Sequence, residues 1–271
     1  MGKRKIFCKV WKTLLATALL VTALGAGASA AGTKTVDMSR DANGAYVYAG
    51  VEADYDTTVY HRFTVPSSGL LAVSGNQFNT YSGTAYGLSV SLCDSNFRPL
   101  DQSSYGAYVN ASASDIEFYG VSAGTYYLKV SGEKMYSVAA AFEKVSDKAG
   151  TSKAKAKTIK QKKVVTGVLA AGEKAKKADW YKFKVTKNKK LKLEIAAAGN
   201  GYTEFYLYGP SYSKKGTRID SLKNESGTYF SINGLTRKKL KVKPGTYYIR
   251  VKRASYDKQG SGIYSIKWQL K

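Results

Sequence analysis

The 271-residue chain reads as all-β, with two tandem antiparallel modules behind an export signal. Three observations lead there. One phrase is written twice, as Gly124-Thr-Tyr-Tyr-Leu-Lys-Val130 and Gly245-Thr-Tyr-Tyr-Ile-Arg-Val251, and each copy is followed by a matching fragment, Tyr136-Ser-Val138 and Tyr264-Ser-Ile266. An alternating stretch recurs upstream, Tyr60-His-Arg-Phe-Thr-Val65 against Trp180-Tyr-Lys-Phe-Lys-Val185, and Val65 to Val130 is 65 positions where Val185 to Val251 is 66. Fixed spacing between matched elements marks a duplicated structural unit. Finally, short apolar runs broken by turn residues fill the chain, and no long amphipathic helix interrupts them. Such a pattern indicates a sandwich or a barrel.

The first thirty residues are set apart as a signal peptide, 1–30. Lys3, Arg4, Lys5, Lys9 and Lys12 form a positive start, Leu14 to Leu24 an apolar run, and Ala28-Ser-Ala30 a small-residue cleavage pattern. The run is shorter than the roughly 20 residues of a spanning helix, so an uncleaved anchor is the weaker alternative. No later stretch has spanning length, and Trp268-Gln-Leu-Lys271 does not resemble a wall-sorting signal. The expected localisation is therefore secreted or extracellular, held at the cell surface non-covalently if at all, with no transmembrane segment in the mature chain.

A first module is expected over 31–146, with strands at Leu70–Ser74, Leu88–Leu92 and Tyr126–Val130. Residues 147–160 read as a Lys-rich connector, although Ala156–Ile159 could equally open the next module. A second module follows over 161–271, with strands at Lys182–Val185, Leu191–Ile195, Phe205–Tyr208, Leu240–Val242 and Tyr247–Val251. Turn chemistry separates the strands at Pro66–Gly69, Ser122–Gly124, Lys187-Asn188, Gly199-Asn-Gly201, Lys243-Pro-Gly245 and Gly260-Ser-Gly262. Cys8 leaves with the signal, so the mature chain keeps Cys93 alone, expected half-buried in a strand, and forms no internal disulfide.

Asp179-Trp-Tyr-Lys-Phe-Lys-Val185, Phe205-Tyr-Leu-Tyr208, Pro244-Gly-Thr-Tyr-Tyr-Ile-Arg-Val251 and Tyr264-Ser-Ile266 together resemble the bacterial pre-peptidase C-terminal domain. The collagen-binding domains of clostridial collagenases are distant relatives of that family. The second copy matches well and the first more loosely, with Val59-Tyr60-His61 in place of Asp-Trp-Tyr. The resemblance implies two jelly-roll-like antiparallel β-sandwiches of a kind that usually accompanies secreted enzymes as a non-catalytic module. Collagen-binding relatives hold calcium near an acidic N-terminal linker. The matching stretch here is Lys-rich, so neither calcium nor collagen binding carries over.

Catalysis is poorly supported, and the chain is read as non-enzymatic. Its single histidine, His61, excludes any site needing two imidazoles, and a Ser-His-Asp triad would have to use it. By alignment His61 replaces Tyr181 and is expected as a half-buried strand residue. No phosphate-cradling loop is present, and no cofactor or metal is expected. Asp37, Asp41, Glu52, Asp54 and Asp56 cluster, but without EF-hand spacing they read as a solvated loop.

Charge carries the functional signal. The chain holds 43 basic and 19 acidic residues. From Ala31 to Ser146 there are 7 basic and 11 acidic residues, net −4; from Asp147 to Lys271 there are 31 and 8, net +23. For any single lysine, solubility is explanation enough. A surplus of this size on one module exceeds what solubility requires, and a polyanion would relieve its self-repulsion. Strand alternation places Trp180, Lys182, Lys184, Lys192, Lys239, Lys241, Tyr248, Arg250 and Lys252 on solvent faces, and these are the expected polyanion-binding residues. The expected partner is an anionic cell-wall polymer or polysaccharide, with a glycan or protein for the Tyr-rich first module and no nucleic acid as primary ligand. The alternatives are an accessory module of a secreted hydrolase system or a host-matrix, collagen-like adhesin.

Overall fold

A computed structural model describes residues 32–51, 56–79, 82, 84–100, 107–109, 116–133, 135–212, 214–224, 236–257 and 259–271, and all their side chains except those of 220–224 and 236–239. The expected signal peptide lies outside the described residues. Among those residues every regular element is a strand. Two compact units divide the chain, one mainly up to Lys144 and the other mainly from Val145 onward.

The first unit contains β1 (Thr33–Asp37), β2 (Ser39–Arg40), β3 (Tyr46–Val51), β4 (Thr58–Val65), β5 (Gly69–Phe78), β6 (Ala85–Tyr86), β7 (Leu88–Cys93), β8 (Ala107–Val109), the start of β9 (Glu117–Val121), whose Tyr119–Val121 fall in the second unit, β10 (Gly124–Ser131) and β11 (Met135–Lys144). One sheet runs β1-β4-β10-β7-β8 and the other β2-β3-β11-β5-β6. Along β4 the period of two is clean: Val59, His61, Phe63 and Val65 are buried, while Tyr60, Arg62 and Thr64 face outward. All three strands expected here are present, the second within β7 and the third within β10.

The second unit contains β12 (Lys157–Thr158), β13 (Val164–Leu169), β14 (Ala178–Val185), β15 (Lys189–Tyr208), β16 (Thr217–Asn224), β17 (Thr236–Val242), β18 (Gly245–Arg253) and β19 (Ser261–Leu270). Gly199-Asn-Gly201, read from sequence as a turn between two strands, lies instead inside β15, which continues unbroken for 20 residues. Up to Asn200 this strand pairs with β19, and with β17 at its start; from Gly201 onward it pairs with β16 and then β18. Gly199 and Gly201 have φ of 137° and 82°, so the backbone bends there without breaking its ladder. One strand thus serves both layers.

Between the layers lies a core that includes Tyr181, Phe183, Phe205, Leu207, Tyr247, Ile249 and Val251 from one side, and Leu191, Leu193, Ile195, Tyr264, Ile266 and Trp268 from the other. Phe183 stacks on Trp268 with centroids 4.4 Å apart. Within the stretch 147–160, Gly150 bridges to Trp180, Lys157–Thr158 pair in parallel with Tyr181–Lys182, and the buried Ile159 accepts a hydrogen bond from Trp268 Nε1 at 3.2 Å.

The two units repeat each other in register as well as in sequence. Parallel β1/β4 matches parallel β12/β14. Val65 faces Gly124 across β4/β10 as Val185 faces Gly245 across β14/β18. Gly50 faces Tyr136 across β3/β11 as Gly167 faces Tyr264 across β13/β19. Even the hydrogen bonds recur: Tyr126 Oη donates to Ser122 O at 3.1 Å, and Tyr247 Oη to Lys243 O at 2.9 Å.

Candidate functional site

The outward side chains of β14, β18 and the second half of β15 form one continuous face. Trp180 lies opposite Arg250, which lies opposite Tyr206; Lys182 lies opposite Tyr248, which lies opposite Tyr208. Inward neighbours Tyr181, Ile249 and Leu207 are buried, so this parity is fixed by the core. The guanidinium of Arg250 sits over the Trp180 ring at 5.6 Å, Lys252 over Tyr206 at 5.4 Å, and Lys153 over both Tyr208 and Tyr248 at 5.1 Å. Trp180 and Tyr208 rings pack with centroids 5.2 Å apart.

Charge pairing on this face is uneven. Glu204, buried on the outer side, takes Lys252 Nζ at 2.6 Å and Arg218 Nη1 at 3.1 Å, and accepts Tyr206 Oη at 3.0 Å. Desolvation pushes its carboxyl up, but these three donors win and hold it below the usual range. Lys182 and Lys184 make no ion pair among the described residues, and the buried Nε of Arg250 has no hydrogen-bond partner. A guanidinium braced on an indole, with two ammonium groups beside it that pair with no acid among the described residues, is suited to a multivalent anion.

Six of the nine expected residues therefore come together: Trp180, Lys182, Lys184, Tyr248, Arg250 and Lys252. The other three lie on the opposite layer. Lys192 is tied to Glu194 at 2.8 Å, Lys241 is exposed opposite Lys190, and Lys239 pairs with Lys192 along the backbone, its side chain lying outside the described set. Alternation alone finds every outward lysine but cannot say which layer a strand joins. Sequence reasoning also missed Tyr206, Tyr208, Glu204, Arg218 and Lys153. The alternation in Phe205-Tyr-Leu-Tyr208 was a usable signal for both tyrosines, whereas Lys153 is brought in by long-range packing.

Beneath one end of this unit lies a buried polar network. Tyr264 Oη donates to Asp179 Oδ2 at 2.6 Å and lies 2.8 Å from Tyr181 Oη, which also reaches Thr166 O at 3.4 Å. Burial raises the Asp179 carboxyl to about 7, with Asp147 and Glu173 adding to the rise and Lys177 opposing it. Arg253, also buried, donates to Gly260 O at 2.6 Å and to Ala170 O, and lies 3.6 Å from Glu173 Oε2. These groups are shielded from any large ligand and serve the fold.

His61 corrects the expectation of a half-buried residue, since it is fully enclosed. Its Nε2 lies 2.9 Å from Tyr136 Oη, and desolvation, with Lys34 assisting, lowers its pKa to about 3. It stands where Tyr181 stands against Tyr264 and cannot reach a substrate. Cys93 likewise is fully buried rather than half-buried. In the acidic cluster, Asp37 forms a bidentate pair with Arg62 at 2.5 and 2.7 Å, and Asp41 Oδ1 accepts the N–H groups of Asn43 and Ala45. Glu52 and Asp54 lie outside the described residues. Among the described residues no three His, Cys, Asp or Glu side chains group as a metal site.

The family model of the bacterial pre-peptidase C-terminal domain matches residues 177–253, which span β14 through β18 and so include most of this face. The first unit lies outside that match. No curated protein matches the chain. Among solved structures, the chain is similar to the pre-peptidase C-terminal domain of a Bacillus anthracis collagenase, at 19% identity over 47% of this chain and 100% of that one, TM-score 0.31. It is similar to an uncharacterised Listeria monocytogenes protein in complex with glucose, magnesium and calcium, at 11% identity over 83% of this chain but 19% of that one, TM-score 0.28. It is also similar to the tandem CBM22 domains of Paenibacillus barcinonensis Xyn10C, at 8% identity over 78% and 82%, TM-score 0.27.

Proposed function

We propose that the chain is a secreted, non-catalytic binding protein whose second unit attaches to an anionic cell-envelope polymer or polysaccharide. The attachment surface is the outer face of β14, β18 and β15. The observation that carries this reading is the coincidence there of Lys182, Lys184 and Arg250, which no acidic side chain among the described residues neutralises, with a braced aromatic floor. By analogy with anionic membranes, each cation engaged near such a surface contributes about 1 kcal/mol, so a few acting together give attachment without a shaped pocket. Attraction of this kind is screened by salt.

The test uses the full chain and purified envelope fractions, with and without their anionic polymer. Retention should be lost between about 0.1 and about 1 M salt, as the Debye length falls from about 10 to about 3 Å. The triple variant K182E/K184E/R250E should bind at least about tenfold more weakly with unchanged thermal unfolding. Equal binding by the triple variant would move the site elsewhere. The pre-peptidase match favours a second reading, an accessory module of a secreted hydrolase system, in which binding to the hydrolase's substrate would persist in high salt.

A further inference from the structure

The first unit carries a second aromatic surface, on the outer face of its β1-β4-β10-β7-β8 sheet. Register sets Tyr60, Lys129 and Ser91 in one row and Arg62, Tyr127 and Cys93 in the next, with Tyr108 opposite Ser89 at the β8 side. Over these rows sits Phe97, from the turn after β7. Its ring lies 4.5 Å from that of Tyr127 and 4.8 Å, edge-on, from that of Tyr60. Phe97 is nonetheless 43% exposed, and Tyr108 is 61% exposed.

Phe97 is an unfavourable choice for its position. Its φ is +60°, a left-handed conformation that costs a residue with a Cβ on the order of 1 kcal/mol and suits Gly or Asn. The turn imposes it: Asp94 Oδ1 accepts the N–H groups of Asn96 at 2.8 Å and Arg98 at 3.0 Å, and the Phe97 N–H reaches Asp94 O at 3.0 Å. Backbone strain is thus combined with an apolar ring left open to water. The ring packs on Tyr127 and Tyr60, but the strain together with the part of the ring left open points to a ligand.

The chemistry around the rings narrows the ligand. Where the second unit has Glu204, Tyr206 and Tyr208, the equivalent positions here are Ser89, Ser91 and Cys93. Small residues, with Ser89 exposed, therefore separate the Phe97–Tyr60 cluster from Tyr108. The Arg62–Asp37 pair, 48% and 67% exposed, and Lys129 border the same surface. We propose that this face binds a neutral β-linked polysaccharide, whose hexopyranose rings stack on Phe97 and Tyr108 while their hydroxyls meet Ser89, Lys129 and the Arg62–Asp37 pair. Such sugars present C–H groups on both ring faces and hydroxyls at the rim, matching flat apolar rings bordered by donors and acceptors. A net charge of −4 over 31–146 disfavours a polyanion here but does not oppose a neutral chain. A peptide is the poorer fit, because one added as a strand would pair with the edge of β8 and leave the rings on the face of the sheet unused.

The test is affinity retention of the full chain on cellulose, chitin and insoluble β-1,3-glucan, with gelatin as the protein comparison. Salt is held at about 1 M so that the cationic face of the second unit is screened. Wild type should be held on at least one of the three polysaccharides. F97N, which relieves the left-handed strain and so keeps the fold, and Y108A should each weaken retention by at least about tenfold. K182E/K184E/R250E should be retained as wild type, which separates this site from the cationic one. Passage of wild type through all three polysaccharides, undiminished retention of F97N, or retention on gelatin alone would overturn the proposal.

Discussion

Tyr126 and Tyr247 show how one residue type closes a β-corner twice in the same chain. Each hydroxyl donates to the carbonyl four residues upstream and accepts that residue's N–H, at 3.2 Å from Ser122 and 3.1 Å from Lys243. Replacing either Tyr by Phe removes one partner from backbone groups that are only partly buried, which costs about 0.5–1.5 kcal/mol. Tyr247 has an additional contact to Ser211 Oγ at 3.1 Å, so Y247F is expected to cost at least as much as Y126F in urea unfolding. A negligible loss in both variants would show that water replaces the hydroxyl. The repeated Gly-Thr-Tyr-Tyr phrase announced these positions, because its first tyrosine aligns with an inward parity in both copies. The extent of burial at His61 and Cys93 was not legible. Period-two alternation assigns a face, but how tightly that face is covered depends on side chains distant in sequence, such as Tyr136 over His61.

At the scale of the element, β15 decides the architecture of the second unit, and its bend is where local signals mislead. A Gly-Asn-Gly run is ordinarily a turn. Here Asn200 Oδ1 accepts both the N–H and the hydroxyl of Ser261, at 2.8 Å each, and Asp257 ties the neighbouring loop to the N–H groups of Tyr202 and Gly260. Those partners, some sixty residues downstream, convert the turn into a corner, which no local reading could show. A Cβ on Gly201 would lie 2.0 Å from Asp257 Oδ2, at a φ of 82° that L-residues avoid. G201A is therefore expected to destabilise the unit by more than about 1 kcal/mol, since steric and backbone terms act together. An unaltered unfolding midpoint would mean that β15 is two strands in solution. By contrast, β4, β14, β10 and β18 were readable from alternation alone, because each buries one face completely. β13 was hidden by Gly167, where the Tyr264 ring fills the space a side chain would occupy and would leave a Cβ only 2.1 Å from its hydroxyl.

At the scale of the whole molecule, the two units share a pattern yet bury opposite kinds of titratable group at nearly the same place. The first encloses His61 with a pKa lowered to about 3, and the second encloses Asp179 with a pKa raised to about 7. For His61 the unfolded chain takes up a proton as pH falls below its ordinary 6.5 while the folded chain does not, so the first unit loses stability on acidification from there toward about 3. For Asp179 the unfolded chain releases its proton above 3.8 while the folded chain keeps it, so the second unit loses stability as pH rises from there toward about 7. Glu204, whose carboxyl is held below its ordinary 4.5, acts in the opposite sense to Asp179, and Asp147, raised by burial, acts in the same sense. Each pH unit crossed by one fully linked group changes stability by about 1.4 kcal/mol, or about 7 °C in Tm for a domain near 100 residues. Between pH 5 and 6.5, calorimetry on the full chain should show two transitions approaching or separating, with the first unit's Tm rising and the second unit's falling. H61Q should flatten the first trend and D179N the second, each leaving the other unit's trend intact. Two transitions that move together with pH, or a D179N chain whose second transition falls as steeply as that of wild type, would show that these buried groups do not hold the protonation states their surroundings impose.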